Sequence, residues 1–246
     1  MGFALDLDGV IWLADQPIPG AAEAVARLRA TGHEVVFCTN SSMDPTWAVE
    51  EKLARHGVVA SGDVVTSASV AGELLSPGER VLVCGGRGIV EAVEERGASV
   101  VTEGPVDVVM VGLDLGFTYD RLRAATAAVA GGARLLATND DATYPTPTGA
   151  VPGGGAIVAA IERASGVKAE VAGKPHAPMV ARVRARLGDN GVVVGDRPET
   201  DGAFAAALGY RFALVLSGVV ASGEGVDPRP DVVAPDLAAV VEHLLG

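Results

Sequence analysis

The chain has 246 residues, of which 49% are hydrophobic and 4% aromatic, and its formal charge at pH 7 is −12. This length and hydrophobic content favour one large or two modest globular domains and exclude a disordered chain. The negative charge and the lack of a basic cluster exclude a nucleic-acid polymer as the partner. No apolar run approaches the roughly 18 residues that cross a bilayer. The N-terminus lacks the basic and apolar regions of a signal peptide, so we expect a cytoplasmic protein without membrane contact.

Short apolar runs alternate with amphipathic segments of helical length at the start of the chain, as in a parallel sheet covered by helices. The first predicted elements, in chain order, are a strand over 3–7, a helix over 21–30, a strand over 33–38 and a helix from about Pro45 to just before Gly57. A Ser-Pro-Gly sequence at 76–78 then predicts a break.

A second series of strands and helices follows the break. Its predicted elements are strands over 80–83, 106–111 and 133–137, and helices over 88–95, 119–130 and 155–164. The last part returns to the first pattern, with a helix over 178–187, a strand over 192–194, a helix over 200–208, a strand over 212–216 and a helix over 237–245. We therefore predict a discontinuous core, 1–78 and 169–246, with an α/β domain, 79–168, inserted between its halves.

Four segments far apart in the chain carry polar or charged side chains next to predicted strands or helices. They are 6–10, 39–40, 173–175 and 195–201. Ligands of open α/β folds bind at the carboxyl ends of the strands, so we expect these side chains to meet at one edge of the sheet. Carboxylates, a hydroxyl and an ammonium gathered there can hold a divalent cation and a phosphate group.

Asp6 and Asp8 lie two residues apart at the end of the first predicted strand. Strand alternation directs both side chains the same way, so the two carboxyl groups can share one reaction centre. A carboxylate can attack phosphorus and become phosphorylated, while a protonated neighbour gives its proton to the leaving alcohol. The alternative is a pair of solvated carboxylates at the end of a surface strand, although an unpaired charge in an apolar strand is costly.

Thr39, Asn40 and Lys174 are the candidates for binding phosphate. The Thr39 hydroxyl and the Asn40 amide can hydrogen-bond phosphate oxygens, but Thr-Asn after a strand is also a common helix cap. Lys174 can neutralise Asp6 and the phosphate together, and its alternative is a solvated surface lysine.

Asp196 and Asp201 complete a predicted magnesium site. Magnesium takes oxygen ligands, and Asp6, Asp196 and the backbone carbonyl of Asp8 can supply them. Asp201 lies one turn into the next helix, where it can orient a metal-bound water from behind the ligands. A carboxylate that merely favours the start of that helix is the alternative.

These motifs, in this order, resemble the haloacid dehalogenase-like hydrolases over nearly the whole chain. Within that superfamily the chain is similar to the NagD-like branch, which includes nitrophenylphosphatases, phosphoglycolate phosphatase and pyridoxal phosphate phosphatase. The segments that carry this branch-level similarity are 6–12, 111–114, 137–140, 152–155, 173–175 and 195–201.

The resemblance implies a doubly wound, Rossmann-like parallel-sheet core with an inserted α/β cap domain. It also implies that Asp6 is the nucleophile, Asp8 the acid and base, Thr39 a phosphate-binding hydroxyl, Lys174 the charge-neutralising lysine and Asp196 a metal ligand. Relatives commonly read Thr-Asn-Asn-Ser followed by a basic residue, whereas this chain has Ser41, Ser42, Met43 and Asp44 after Asn40.

The sequence therefore predicts a Mg²⁺-dependent phosphatase acting on a small phosphorylated metabolite through an aspartyl-phosphate. A phosphotransferase or mutase would use the same intermediate, and a phosphate- or nucleotide-binding module without catalysis is a further alternative. Residues 140–149 are predicted to be a loop of the cap, in which Asp140 and Tyr144 contact the substrate or Tyr144 packs under the cap. Phosphoglycolate, glycerol phosphate, sugar phosphates, nucleotides and pyridoxal phosphate stay open as substrates, and the cap is a possible homodimer contact.

Overall fold

The computed structural model describes residues 1–146 and 149–246, with the backbone alone at Pro145. The chain divides into two compact units. The first unit comprises Met1–Thr39, Trp47–Val65 and Lys174–Gly246, and the second comprises Asn40–Thr46 and Thr66–Gly173.

The secondary structure alternates between strands and helices along the chain. The strands are β1 (Gly2–Leu5), β2 (Trp12–Leu13), β3 (Gln16–Pro17), β4 (Glu34–Thr39), β5 (Val64–Thr66), β6 (Arg80–Cys84), β7 (Ser99–Val100), β8 (Val108–Val111), β9 (Arg134–Ala137), β10 (Thr143–Thr146), β11 (Gly149–Pro152), β12 (Glu170–Val171), β13 (Gly191–Gly195), β14 (Arg211–Val215) and β15 (Val232–Ala234). The helices are α1 (Ala21–Ala30), α2 (Thr46–Arg55), α3 (Ser67–Glu73), α4 (Arg87–Glu95), α5 (Tyr119–Ala130), α6 (Gly154–Ser165), α7 (Ala177–Leu187), α8 (Ala203–Leu208) and α9 (Leu237–Leu245), with a π-helical turn (Pro198–Gly202) before α8. None of these helices has the length and apolar character needed to span a membrane.

The first unit is built on a six-stranded sheet in the order β15-β14-β13-β1-β4-β5. Strand β1 pairs in parallel with both β13 and β4. The chain extends the sheet from β1 towards β5 and later from β13 towards β15, so the strand order reverses between β1 and β13. Such a reversal opens a crevice at the carboxyl ends of the two strands, where open α/β sheets bind ligands. Asp6 follows β1 and Asp196 follows β13 at this point.

Both faces of this sheet are buried. Phe3 and Leu5 of β1 are fully buried in an apolar cluster with Leu28 of α1 and Val240 of α9. Ala4 points to the opposite face by strand alternation and is also buried, and helix α7 contacts β1 and β4. Sheets covered on both faces are typical of doubly wound α/β folds, so the predicted core architecture is confirmed.

The second unit has its own parallel sheet, in the order β12-β9-β8-β6-β7. Val109 and Val111 of β8 pack in an apolar cluster with Val129 of α5 and Ile161 of α6. This unit is wider than the predicted insertion of residues 79–168. Its long segment begins at Thr66, ahead of α3, which packs against α4, and extends to Gly173, beyond β12, which pairs with β9. The role of this unit as a substrate-specifying cap stays a prediction.

Two local predictions differ from the structure. The predicted strand 3–7 ends at Leu5, because the carbonyl of Leu7 accepts hydrogen bonds from the amides of Val10, Ile11 and Trp12 in a tight turn. The predicted loop 140–149 contains an antiparallel pair, β10 with β11, in which Tyr144 lies opposite Val151. The prolines in this segment suggested a loop, because proline lacks the N–H group that a strand uses for pairing. Both strands of a two-stranded ribbon are edge strands, where proline is tolerated. Pro147 and Thr148 of that prediction lie outside the described residues.

Helix α9 offers a test of the fold at a capping contact. Asp236 accepts a hydrogen bond from the amide of Ala239 at 2.9 Å. We expect Asp236→Ala to lower the free energy of unfolding by about 1 kcal/mol, because that amide loses its acceptor. Asp236→Asn keeps an acceptor oxygen and should lose less than about 0.5 kcal/mol. Urea unfolding measures both, and equal losses in the two variants would contradict the capping role.

Candidate active site

The site is organised around a buried ammonium group. Lys174 begins the last segment of the first unit, and its side chain is only 3% exposed. Its Nζ lies 2.7 Å from Asp6 Oδ1 and 2.7 Å from Asp201 Oδ1. The structure thus brings together three of the predicted site residues from distant parts of the chain, and the alternative of a solvated surface lysine is wrong.

Asp196 joins this group from the end of β13. Its Oδ2 accepts a hydrogen bond from the amide of Val219 at 2.7 Å. The backbones of Gly9 and Gly218 lie so close to the carboxylate that a Cβ at either position would overlap it. Gly9 also has a φ of 80°, which other residues rarely adopt. Glycine at these positions therefore allows the Asp196 carboxylate to sit beside the turn that follows β1.

Asp201 is fully buried in the π-helical turn and uses both of its carboxylate oxygens. Oδ1 accepts from Lys174, and Oδ2 accepts from the amide of Arg197 at 3.1 Å. A Cβ at Gly195 would overlap this carboxylate, so the end of β13 must be glycine. Asp201 therefore hydrogen-bonds Lys174 and also lies near the start of a helix, which was the alternative role considered for it.

The carboxylates of Asp6, Asp196 and Asp201 can surround a metal ion. One oxygen from each lies within 4.8 Å of the others. Asp6 Oδ2 and Asp196 Oδ1 accept no hydrogen bond from the described residues, whereas both oxygens of Asp201 are engaged. Asp6 and Asp196 are therefore the carboxylates with an oxygen available to a cation. Hard oxygen donors of this kind suit magnesium.

The charges of the cluster are unbalanced. Three carboxylates face one ammonium, which leaves a surplus of negative charge in a buried place. Burial raises the pKa of Asp6 well above its ordinary value, although Lys174 opposes the shift. Burial and the neighbouring charge of Asp201 raise the pKa of Asp196 to about 6. Burial lowers the pKa of Lys174, but Asp201 and Asp6 outweigh it and hold the pKa above its ordinary value. A divalent cation would offset the surplus.

Asp8 lies in the turn after β1, two residues beyond Asp6. Its Oδ1 accepts a hydrogen bond from the indole Nε1 of Trp12 at 3.0 Å. Burial raises the pKa of Asp8, and the charge of Lys52 and the Trp12 hydrogen bond oppose that rise. A raised pKa favours the protonated form that a general acid requires.

Two of the three predicted phosphate-binding residues, Thr39 and Asn40, belong to different units. Thr39 ends β4 in the first unit and is buried. Asn40 belongs to the second unit, where its Nδ2 donates to Asp141 Oδ2 at 3.0 Å and its carbonyl accepts from Asn139 Nδ2 and Ser67 Oγ. Neither the Asn40 network nor its partner Asp141 was predicted.

Asp140 and Tyr144 of the second unit were predicted to contact substrate. Asp140 is exposed and Tyr144 is half-buried at the start of the β10–β11 hairpin. Their role stays a prediction. Trp12, Lys52 and Val219 are site residues that sequence reasoning missed. Of these three, only Trp12 could have been identified from the sequence, because it ends segment 6–12, which carries part of the similarity to the NagD-like branch.

Two family models and several known proteins are similar to this chain. The family model described as haloacid dehalogenase-like hydrolase matches residues 3–99, and a second model, described as HAD-hydrolase-like, matches residues 171–240. The chain is 36% identical to D-glycerol 3-phosphate phosphatase of Mycobacterium tuberculosis over 96% of this chain and 69% of that protein. It is 34% identical to acid sugar phosphatase of Staphylococcus saprophyticus over 81% of this chain and 80% of that protein.

A solved structure is similar along almost the whole chain. Glycerol phosphate phosphatase of Mycobacterium tuberculosis, crystallised in complex with magnesium, superposes with a TM-score of 0.87 at 34% identity, covering 97% of this chain and 75% of that one.

Removal of the buried ammonium tests the charge balance of the site. We expect Lys174→Met to lower the free energy of unfolding by about 3–5 kcal/mol near neutral pH, because it leaves buried carboxylates without their cation. The exposed lysine Lys168, which pairs with Glu162 at 2.6 Å, gives the matched control. Lys168→Met should cost less than about 1 kcal/mol.

The loss in the free energy of unfolding caused by Lys174→Met should depend on pH. Without Lys174 the already raised pKa of Asp6 rises further, so the folded protein binds more protons than the unfolded chain. The deficit should therefore be smaller at about pH 5 than at about pH 8, as the folded state gains stability from protonation on the acid side. Denaturant unfolding of the wild type and of Lys174→Met at several pH values measures the difference in the free energy of unfolding. A difference that grows towards acid pH would contradict the expectation.

Proposed function

The chain belongs to the haloacid dehalogenase-like hydrolase family, and from that premise we propose that it is a magnesium-dependent phosphatase of small phosphate monoesters. The observation that carries the proposal is the buried cluster in which Lys174 contacts Asp6 and Asp201, with Asp196 beside them. A nucleophile, a cation site and a fixed positive charge are the parts that phosphoryl transfer to a carboxylate requires.

Asp6, Asp196 and the backbone carbonyl of Asp8 are the proposed magnesium ligands. When bound, the cation neutralises phosphate oxygens and the negative charge that develops in the transition state. The support for these ligands is the pair of carboxylate oxygens, Asp6 Oδ2 and Asp196 Oδ1, that the described residues leave without a hydrogen bond. Asp201 supports the site indirectly, because it holds Lys174 and the backbone of Arg197.

Asp6 is the proposed nucleophile. Its carboxylate attacks phosphorus, the bond from phosphorus to the leaving oxygen breaks, and an aspartyl-phosphate forms. Lys174 holds the Asp6 side chain through Oδ1, so the attacking group needs little reorganisation. The same ammonium offers positive charge to the phosphate group. Water then attacks the phosphorus of the intermediate and releases phosphate and free Asp6.

Asp8 is the proposed general acid and base. It gives its proton to the leaving alkoxide in the first step and takes a proton from the attacking water in the second. The Thr39 hydroxyl, at the end of β4, is the proposed donor to a non-transferring phosphate oxygen. Asn40 follows it, and its side chain is oriented by Asp141.

The substrate is a small phosphorylated metabolite. The relatives named D-glycerol 3-phosphate phosphatase and acid sugar phosphatase support a small phosphate monoester as the substrate. We propose that the second unit acts as a cap, in which Asp140 and Tyr144 help to select the leaving group, and that the cap is a contact for a homodimer. Transfer of the phosphoryl group to an alcohol instead of water would make the chain a phosphotransferase.

Phosphate release tests the reaction class and the nucleophile together. The wild type should release phosphate from a panel of small monoesters only when magnesium is present. Asp6→Asn should reduce the rate by at least about a thousandfold, because an amide does not attack phosphorus. Asp189→Asn changes a surface carboxylate, 95% exposed, and should leave the rate unchanged. Release by Asp6→Asn at more than a few per cent of the wild-type rate would refute Asp6 as the nucleophile.

The acid role of Asp8 predicts a dependence on the leaving group. We expect Asp8→Asn to slow the hydrolysis of glycerol 3-phosphate by about 100-fold, since its leaving alkoxide needs a proton. The loss on 4-nitrophenyl phosphate should be less than about tenfold, because nitrophenolate leaves with little protonation. The ratio of the two kcat values measures the effect, and equal losses on both esters would count against Asp8 as the acid.

A further inference from the structure

The turn after β1 brings an aromatic side chain back to the candidate acid. The carbonyl of Leu7 accepts hydrogen bonds from the amides of Val10, Ile11 and Trp12, and the amide of Gly9 donates to the carbonyl of Trp12 at 2.7 Å. These bonds close one tight turn and start the short β2–β3 hairpin. Trp12 therefore lies beside Asp8 although four residues separate them in sequence.

The contact between the two side chains is specific. The Trp12 indole is buried, with 4% of the residue exposed, and its Nε1 donates to Asp8 Oδ1 at 3.0 Å. An indole N–H is a donor only, so it can hold one carboxyl oxygen and cannot take the proton from the acid. The other oxygen, Asp8 Oδ2, accepts no hydrogen bond from the described residues and is available to carry the proton.

Helix α2 fixes the indole from behind. The Lys52 ammonium lies 4.4 Å from the centre of the Trp12 ring and donates to the carbonyl of Ala14 at 3.0 Å. A cation over the face of an indole is attractive, and this one is also tied to the hairpin. The ring of His56, the residue directly after the same helix, has its centre 5.7 Å from that of the indole in a tilted arrangement. The indole is thus held by contacts that do not involve Asp8.

We propose that Trp12 is the positioning residue for Asp8. The indole N–H holds Oδ1, so that Oδ2 presents its proton to the leaving oxygen. As the bond from phosphorus to that oxygen breaks, the proton passes from Asp8 Oδ2 to it, and the Asp8 carboxylate stays hydrogen-bonded to Trp12. In the second step Oδ2 takes a proton from the water that attacks the aspartyl-phosphate. This inference rests on the proposed phosphatase function.

Trp12→Phe removes the N–H donor while keeping an aromatic ring for Lys52 and His56. We expect it to reduce kcat on glycerol 3-phosphate by about tenfold, the worth of one well-placed hydrogen bond, and kcat on 4-nitrophenyl phosphate by less than about threefold. The control is Trp47→Phe, since Trp47 is the second of the two tryptophans and is 48% exposed. It should change either rate by less than about twofold.

A double-mutant cycle separates a positioning role from a structural one. In an Asp8→Asn background, Trp12→Phe should change kcat on glycerol 3-phosphate by less than about twofold, because the acid it positions is already gone. A tenfold loss in both backgrounds, or equal losses on the two esters, would overturn the proposal while leaving the phosphatase function standing. Wild-type inactivity on both esters would overturn the proposed function and the proposal with it.

The hydrogen bond itself can be observed without turnover. The two indole N–H groups give two resonances in a proton–nitrogen correlation spectrum, and the one lost in Trp12→Phe belongs to Trp12. Asp8→Ala removes its acceptor and should move that resonance upfield, with the Trp47 resonance unchanged as the internal control. A Trp12 resonance that does not move would overturn the proposal.

Discussion

The buried ammonium of Lys174 is the interaction on which the candidate site depends. A buried charge is tolerated when it is paired and hydrogen-bonded, and Lys174 meets both conditions through Asp6 and Asp201. The pairing fixes the Asp6 side chain from one oxygen and leaves the other open. The cluster also contains Asp196, so its charge is not balanced by the lysine alone. Burial raises the pKa values of Asp6 and Asp196, and the neighbouring carboxylates add to the rise. A divalent cation is the simplest way to remove the surplus of negative charge.

The topology of the sheet explains why these groups meet. Strands β1 and β13 are neighbours although about 190 residues separate them, and the strand order reverses between them. Their carboxyl ends therefore bring Asp6 and Asp196 to one crevice. Glycines make the close approach possible, since side chains at Gly9, Gly195 and Gly218 would overlap the carboxylates of Asp196 or Asp201. The last segment of the first unit then delivers Lys174 to the same place.

The main features of fold and site could be predicted because they follow from local patterns. Buried strands are visible in the sequence as apolar runs. Helices α1, α5 and α9 have the predicted bounds. Polar residues at the ends of such runs identified Asp6 and Asp196 as neighbours at one edge of a parallel sheet, and Lys174, before a predicted helix, as the cation that neutralises Asp6. The β10–β11 hairpin was missed because its prolines are turn signals in sequence. The packing of α3 on α4 brings residues before the predicted insertion into the second unit, and no local pattern reveals such packing. Contacts such as Trp12 with Asp8 and Asn40 with Asp141 depend on turn geometry and were not predictable from residue type.

The proposed mechanism requires above all that Asp6 carry the phosphoryl group during turnover, and trapping the intermediate tests this requirement most directly. The enzyme would be mixed with magnesium and glycerol 3-phosphate, quenched in acid during turnover, and treated with borohydride, which reduces an acyl phosphate to an alcohol. Mass spectrometry of the N-terminal peptide should then find homoserine at position 6. Reduction at another residue, or an intact Asp6 in every sample taken while phosphate is being released, would contradict the account.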